Sequence, residues 1–153
     1  MAVRPPISQL DAHLGYWLRY VSNHVSHAFA LRLERSGVTV AEWVLLRELY
    51  DVDALPPSRI ADRLGMTRGA VTKLADRLIV KALVAREADA HDRRAQTLAL
   101  TKKGEKLVPD LALLADKNDA EFFGHLTREE RAGLEQLLRA LVERCGVQKI
   151  PVS

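Results

Sequence analysis

The basic residues between Ser58 and Leu100 are spaced for contact with a polyanion. In the run Thr67-Arg68-Gly69-Ala70-Val71-Thr72-Lys73-Leu74-Ala75-Asp76-Arg77-Leu78, apolar Val71, Leu74 and Leu78 recur at steps of three and four, while Arg68, Thr72, Lys73, Asp76 and Arg77 fall on the other side. This periodicity predicts an amphipathic helix with Thr67 as its N-cap. From a helix lying in a major groove, arginine or lysine can bond guanine edges, and threonine a base edge or a phosphate. Downstream, His91-Asp92-Arg93-Arg94 sits in a polar stretch from Glu87 to Ala95. That stretch joins two short runs of strand character, Val84-Ala85-Arg86 and Gln96-Thr97-Leu98-Ala99-Leu100. A solvated loop has no need of an arginine pair at its tip, whereas a hairpin reaching a minor groove does.

Such groups must be held by neighbouring elements. Upstream, Ile60, Ala61 and Leu64 share one helical face, and Gly65 interrupts the pattern where a positive φ would turn the chain in three or four residues. Ala61 is small where two short helices must cross closely. Helix, tight turn, second helix and basic hairpin form the layout of a winged helix-turn-helix, in which the N-terminal residues of the second helix reach base edges. The candidate contacts to double-stranded DNA are Thr67, Arg68, Gly69, Thr72, Lys73 and Arg77 on that helix, and Arg86, His91, Arg93 and Arg94 on the hairpin. Polar residues at helical spacing also describe an ordinary solvated face; the basic hairpin is what favours DNA. Charge agrees: residues 67–94 hold seven basic and four acidic residues of the chain's 23 and 20, leaving the remainder balanced.

At these residues the chain resembles the MarR family of bacterial transcriptional regulators. The run Thr67 to Leu78 and the Asp92-Arg93-Arg94-Ala95 wing are the specific parts. Leu-Thr-Lys-Lys-Gly at 100–104 resembles the family's passage from wing to fifth helix, and Gly37-Val38-Thr39-Val40-Ala41-Glu42-Trp43 its entry into the second. The resemblance implies a homodimer that binds a pseudo-palindromic operator, represses transcription and responds to a small aromatic or phenolic ligand held between its dimerisation helices and winged part. His13, Trp17, Tyr20, Trp43 and Arg47 are the ligand candidates on that implication, although an aromatic stripe at helical spacing equally describes a core. One departure stands out: where the family usually has glycine ahead of the leucine that starts the wing, this chain has Ala82. A residue with a Cβ in the left-handed region costs about 1 kcal/mol. Either the turn is built differently or the chain carries that strain.

The expected fold is mainly α, a single domain over 1–153. Its winged helix-turn-helix part, with a two-stranded wing, covers 38–100, and N- and C-terminal dimerisation helices cover 7–36 and 105–146. From Ile7 to Ser36, Leu10, Leu14, Trp17, Val21, His24, Ala28 and Leu31 repeat every three or four residues, widened by Leu18, Val25, Phe29 and Leu33. Ser36-Gly37 supplies a stop, Thr39 with Glu42 a capping box, and Val38 with Trp43 a hydrophobic staple. Leu107, Leu111 and Leu114 mark a helix running to Phe122 or Phe123. Thr127 with Glu130 opens another as a second capping box, its apolar face Leu134, Leu137, Leu138, Leu141, Val142 and Cys145. One small winged domain cannot bury all these stripes, so a symmetric homodimer is expected over a monomeric bundle. Cys145 is the only cysteine, which excludes an intrachain disulfide, and its place on an apolar face predicts a buried thiol.

Other chemistries find little support. His24 and His27 are three apart, but no HExxH, CxxC or acidic cluster accompanies them, so neither metal nor cofactor is expected. Absence of GxSxG, Walker A and GxGxxG patterns argues against an enzyme. No stretch approaches the roughly 20 apolar residues of a membrane span, and Met1 to Gln9 has no apolar run, so a cytoplasmic protein is expected. The rival reading is a helical dimeric protein-interaction scaffold that has lost sequence-specific DNA binding. Retention of Arg68, Lys73, Arg93 and Arg94 argues against it.

Overall fold

A computed structural model describes residues 3–92 and 94–146 of the chain. Helix α1 (Leu14–Leu33) follows a 3-10 turn at Leu10–Ala12, from which extended backbone at His13 separates it. The regular helix is therefore shorter than the apolar repeat. A second 3-10 turn, Glu34–Ser36, ends on Gly37 at φ 67°, the left-handed stop that glycine takes without steric cost. Helix α2 (Val40–Tyr50) opens with the expected capping box: the Glu42 amide donates to Thr39 Oγ1 at 3.2 Å and the Thr39 amide to Glu42 Oε2 at 3.3 Å.

Leu55 precedes a proline and so is biased toward extended backbone. It forms a one-residue bridge to Leu98, with N–H···O distances of 3.0 and 2.7 Å. Helix α3 (Pro57–Leu64) begins with proline at its first position and ends on Gly65 at φ 64°. Helix α4 (Arg68–Val80) follows at once, its cap closed by the Ala70 amide on Thr67 Oγ1 at 3.1 Å. Strands β1 (Val84–Ala88) and β2 (Gln96–Leu100) pair antiparallel, with Val84 opposite Leu100 and Arg86 opposite Leu98. The ladder thus extends two residues further on the first strand than the apolar pattern indicated.

Helix α5 (Lys102–Phe123) is capped by Thr101, and α6 (Arg128–Arg144) by Thr127, where only the Thr127 half of the expected capping box forms. The architecture is mainly helical with a two-stranded wing, as expected. One core unites Leu45, Leu46 and Leu49 of α2, Ile60 of α3, Val71, Leu74 and Leu78 of α4, Leu98 of the wing, and Val108 and Leu111 of α5. Each such side chain contributes roughly 1.5–3 kcal/mol on leaving water. Helix α1 adds only Phe29 and Leu33 from its last turns, and α6 buries nothing.

The passage from α4 to β1 resolves the question raised by Ala82, which adopts φ 58°. The Ala82 amide donates to Ile79 O and the Leu83 amide to Leu78 O, both at 2.9 Å, the paired bonds of a Schellman stop with alanine where glycine is usual. The strained conformation is held from outside. Thr101 Oγ1 donates to Ala82 O at 2.7 Å, the Thr101 amide to Leu83 O at 3.1 Å, and Lys103 Nζ to Lys81 O at 3.1 Å. Helix α5 can come this close because position 104 is glycine: a Cβ there would lie 2.3 Å from Leu83 O. Ala82→Gly is expected to raise stability by about 0.5–1 kcal/mol, the relief of the left-handed Cβ exceeding glycine's extra unfolded-state entropy. A urea midpoint that rises at constant slope would show it; a lower midpoint would mean that the position carries no strain.

Candidate nucleic-acid interface

The side chains expected to read DNA stand on the free face of α4. Val71, Leu74, Ala75 and Leu78 turn into the core, leaving Thr67, Arg68, Gly69, Thr72, Lys73 and Arg77 exposed. Neither Arg68, Lys73 nor Arg77 enters an ion pair among the described residues. Thr72 spends its hydroxyl proton on Arg68 O, 3.0 Å away within the same helix, so toward a ligand it offers lone pairs and a methyl group. Gly69 sits exposed in the first turn, and a Cβ built there meets nothing within 4 Å. The fold itself therefore has no steric need of glycine at a position where it costs a helix about 1 kcal/mol.

The wing loop is shaped by its own aspartates. Asp89 Oδ1 accepts from the His91 amide at 2.8 Å and Asp92 Oδ1 from the Arg94 amide at 3.0 Å, so the loop turns twice through side-chain to backbone bonds. His91 and Arg94 are both exposed. Arg93 lies outside the described residues.

Two of the basic residues counted in the charge excess are otherwise engaged. Arg86 pairs with Asp76 of α4. Lys81 lies past the far end of α4, where its Nζ donates to Glu42 Oε2 and to Gly37 O, each at 2.6 Å. Glu42 is 1% exposed, so this pair and the capping bond supply its partners in place of water. The sequence marked Glu42 as a capping residue only; no local signal links it to a lysine 39 positions away. Sequence reasoning also passed over Arg59, exposed on α3, the helix that in this motif crosses the DNA backbone.

The five ligand candidates are not gathered into one cluster. On α1, Trp17 and Tyr20 are half exposed in an aromatic run with Tyr16 and His24, and Trp17 Nε1 donates to Asp11 O at 2.8 Å. His13 is exposed at the start of α1. Trp43 instead packs edge-on against Phe29, ring centroids 6.3 Å apart. Arg47 bonds Asp51 at 2.6 Å, which raises its pKa, and lies 5.8 Å from the Tyr50 ring centre. A cavity of about 550 Å³ opens elsewhere, between the α1–α2 turn, Lys81 and the first turns of α5, and none of the five lines it. Among the described residues no three metal-ligating side chains cluster.

At the chain's ends the apolar stripes lie bare. Leu10, Leu14, Leu18 and Val21, and on α6 Leu137, Leu138, Leu141 and Val142, are all exposed in the single chain. Cys145 corrects an expectation: it is exposed, because the helix carrying it packs against no other element closely enough to cover it.

A two-helix reader with a hairpin beside it and long flanking helices defines a winged helix-turn-helix protein. The sequence profile of the MarR family matches residues 36–95. Solved relatives share the fold over nearly their whole length. BpsR of Bordetella bronchiseptica, whose DNA binding is regulated by 6-hydroxynicotinic acid, is 25% identical with a TM-score of 0.83, the match covering 90% of this chain and 99% of that one. A mutant of MarR from E. coli complexed with operator DNA is 25% identical with a TM-score of 0.79, over 84% and 93%. CouR of Rhodococcus jostii RHA1, bound to p-coumaroyl-CoA, has the same fold at 22% identity with a TM-score of 0.80, over 90% and 97%. Over residues 36–95 the chain is thus similar in sequence to the MarR family, and its fold is that of the family's solved regulators.

Proposed function

We propose that the protein is a DNA-binding transcriptional regulator, a repressor acting in the cytoplasm as a homodimer on a pseudo-palindromic operator, without catalytic activity. The observation that carries this reading is the outer face of α4, where Arg68, Lys73 and Arg77 stand exposed and without ion-pair partners among the described residues around a glycine that the fold does not require. Glycine at 69 lets a groove wall approach the first helical turn. In this reading Arg68, Thr72 and Lys73 meet base edges, Thr67 and Arg77 flank them, and Arg59, His91, Arg93 and Arg94 engage phosphates or the minor groove. Arg68→Ala is expected to relax preference at one position per half-site, costing about 1–3 kcal/mol. Arg94→Ala should weaken all sequences alike and lower the salt slope by about 0.9. Anisotropy titrations on duplexes selected from random DNA measure both; equal effects on specificity would sink the division of labour.

The bare stripes of α1 and α6 support the homodimer: a second copy supplies apolar partners that this chain does not. Removing residues 127–153 is expected to yield aggregated or unfolded protein, since obligate dimers often lack a stable monomer. A folded monomer, seen by light scattering and circular dichroism, would refute that interface.

For an effector we propose a small aromatic acid or phenol held where α1 meets the winged part, with His13, Trp17, Tyr20, Trp43 and Arg47 as candidate contacts; one chain does not bring these five together, so a site that used them all would have to be completed by the second copy. The ligands of BpsR and CouR, both aromatic acids or derived from one, support the class. Salicylate is expected to weaken operator binding, and operator to weaken salicylate binding equally, by about 5- to 150-fold. Trp17→Ala or Arg47→Ala should then reduce ligand affinity more than operator affinity in calorimetry. If a panel of aromatic acids, phenols and urate at millimolar concentration leaves operator affinity unchanged, these aromatics belong to the dimer core.

A further inference from the structure

Arg86 occupies a position that differs in kind from the other basic residues. It stands directly opposite Leu98 in the ladder, and residues directly opposite in an antiparallel pair project from the same face of the sheet. Leu98 is 1% exposed and belongs to the core, so that face is the one turned toward the helices. Arg86 therefore projects at the rim of the inner face, toward α4, and its guanidinium meets the carboxylate of Asp76. Asp76 lies one helical turn beyond Thr72 and Lys73 on the exposed side of α4. An aspartate there places negative charge beside the surface proposed to meet DNA, which charge alone would disfavour. The wing has few other ties of this kind: the Leu55 bridge holds β2 from the opposite side, and beyond Glu87 the hairpin carries no ion pair among the described residues.

We propose that Arg86 is a positioning residue and not a DNA contact: with Asp76 it fixes the angle between the wing and the recognition helix, so that both engage one operator half-site together. This rests on the DNA-binding reading given above. It assigns Asp76, a residue of the wrong charge for DNA, a favourable role in operator binding, and gives Arg86 a role that its charge alone would misassign.

The two roles of Arg86 predict opposite signs. Asp76→Asn, Arg86→Gln and the double variant would be titrated, in the full-length protein, against the best duplex selected from random DNA and against an unselected duplex. If the pair is a brace, each single variant loses about two- to fivefold in preference for the selected duplex. The double variant then loses no more than either single one, and Arg86→Lys, which keeps the pair, keeps the preference. The salt slope stays unchanged. If Arg86 instead touches phosphate, Asp76→Asn tightens binding, Arg86→Gln weakens both duplexes and lowers the slope by about 0.9, and the proposal is overturned. Failure of the unaltered protein to bind any duplex would sink the DNA reading and not the brace, which amide exchange then tests without DNA. Both single variants should speed exchange in the hairpin from Ala88 to Gln96, and unchanged rates there would overturn it.

Discussion

The relation between the reading helix and the wing depends on how the chain leaves α4. There a residue with a Cβ is held at φ 58°, a conformation that alanine alone would not choose. What holds it is polar and comes from two directions: Thr101 and Lys103 from the start of α5, and Gly37 and Glu42 through Lys81 from the entry to α2. Because Glu42 is buried, its pairing with Lys81 is not optional: a carboxylate without its partner there would cost several kcal/mol. Strain at Ala82 and the burial of Glu42 are thus two sides of one arrangement. The helices before and after the helix-turn-helix and wing, α2 and α5, pin the joint between them.

Legibility in the sequence followed the range of the interaction. Local rules sufficed for the caps at Thr39, Thr67 and Thr127 and for the stops at Gly37 and Gly65, since each is decided within four residues. The apolar repeats of α3 and α4 also led to buried residues, Ile60, Ala61, Val71, Leu74 and Leu78. The repeat of α1 led to the right face but not to its partner: Leu14, Leu18 and Val21 satisfy the pattern yet remain exposed in one chain. The burial expected for Cys145 failed for the same reason, because periodicity predicts which side is apolar and not what covers it.

Within the candidate interface, composition misled where pairing intervened. Counting basic residues between 67 and 94 treated Lys81 and Arg86 as equivalent to Arg68. Their environments differ: one sits beside a buried glutamate, one faces an aspartate, and one stands in solvent. Long-range partners such as Glu42 and Lys81 leave no periodic mark. Arg86 did leave one, since its alternation with Val84 places both on the inner face once the register with Leu98 and Leu100 is known. The register itself was the missing information.

The bridge between Leu55 and Leu98 is made only of main-chain atoms. Side-chain contacts can be lost by drift at either partner, whereas these two bonds do not depend on which side chains stand at 55 and 98, the demand for an apolar residue at 98 coming from the core alone. Proline at position 55 or 98 is the exception, since each amide there is a donor. The segment leading into α3 and the second wing strand are consequently coupled in a way that tolerates divergence in sequence. Two chains sharing a quarter of their residues can keep the same spacing between helix and hairpin through such a contact while their side chains change around it.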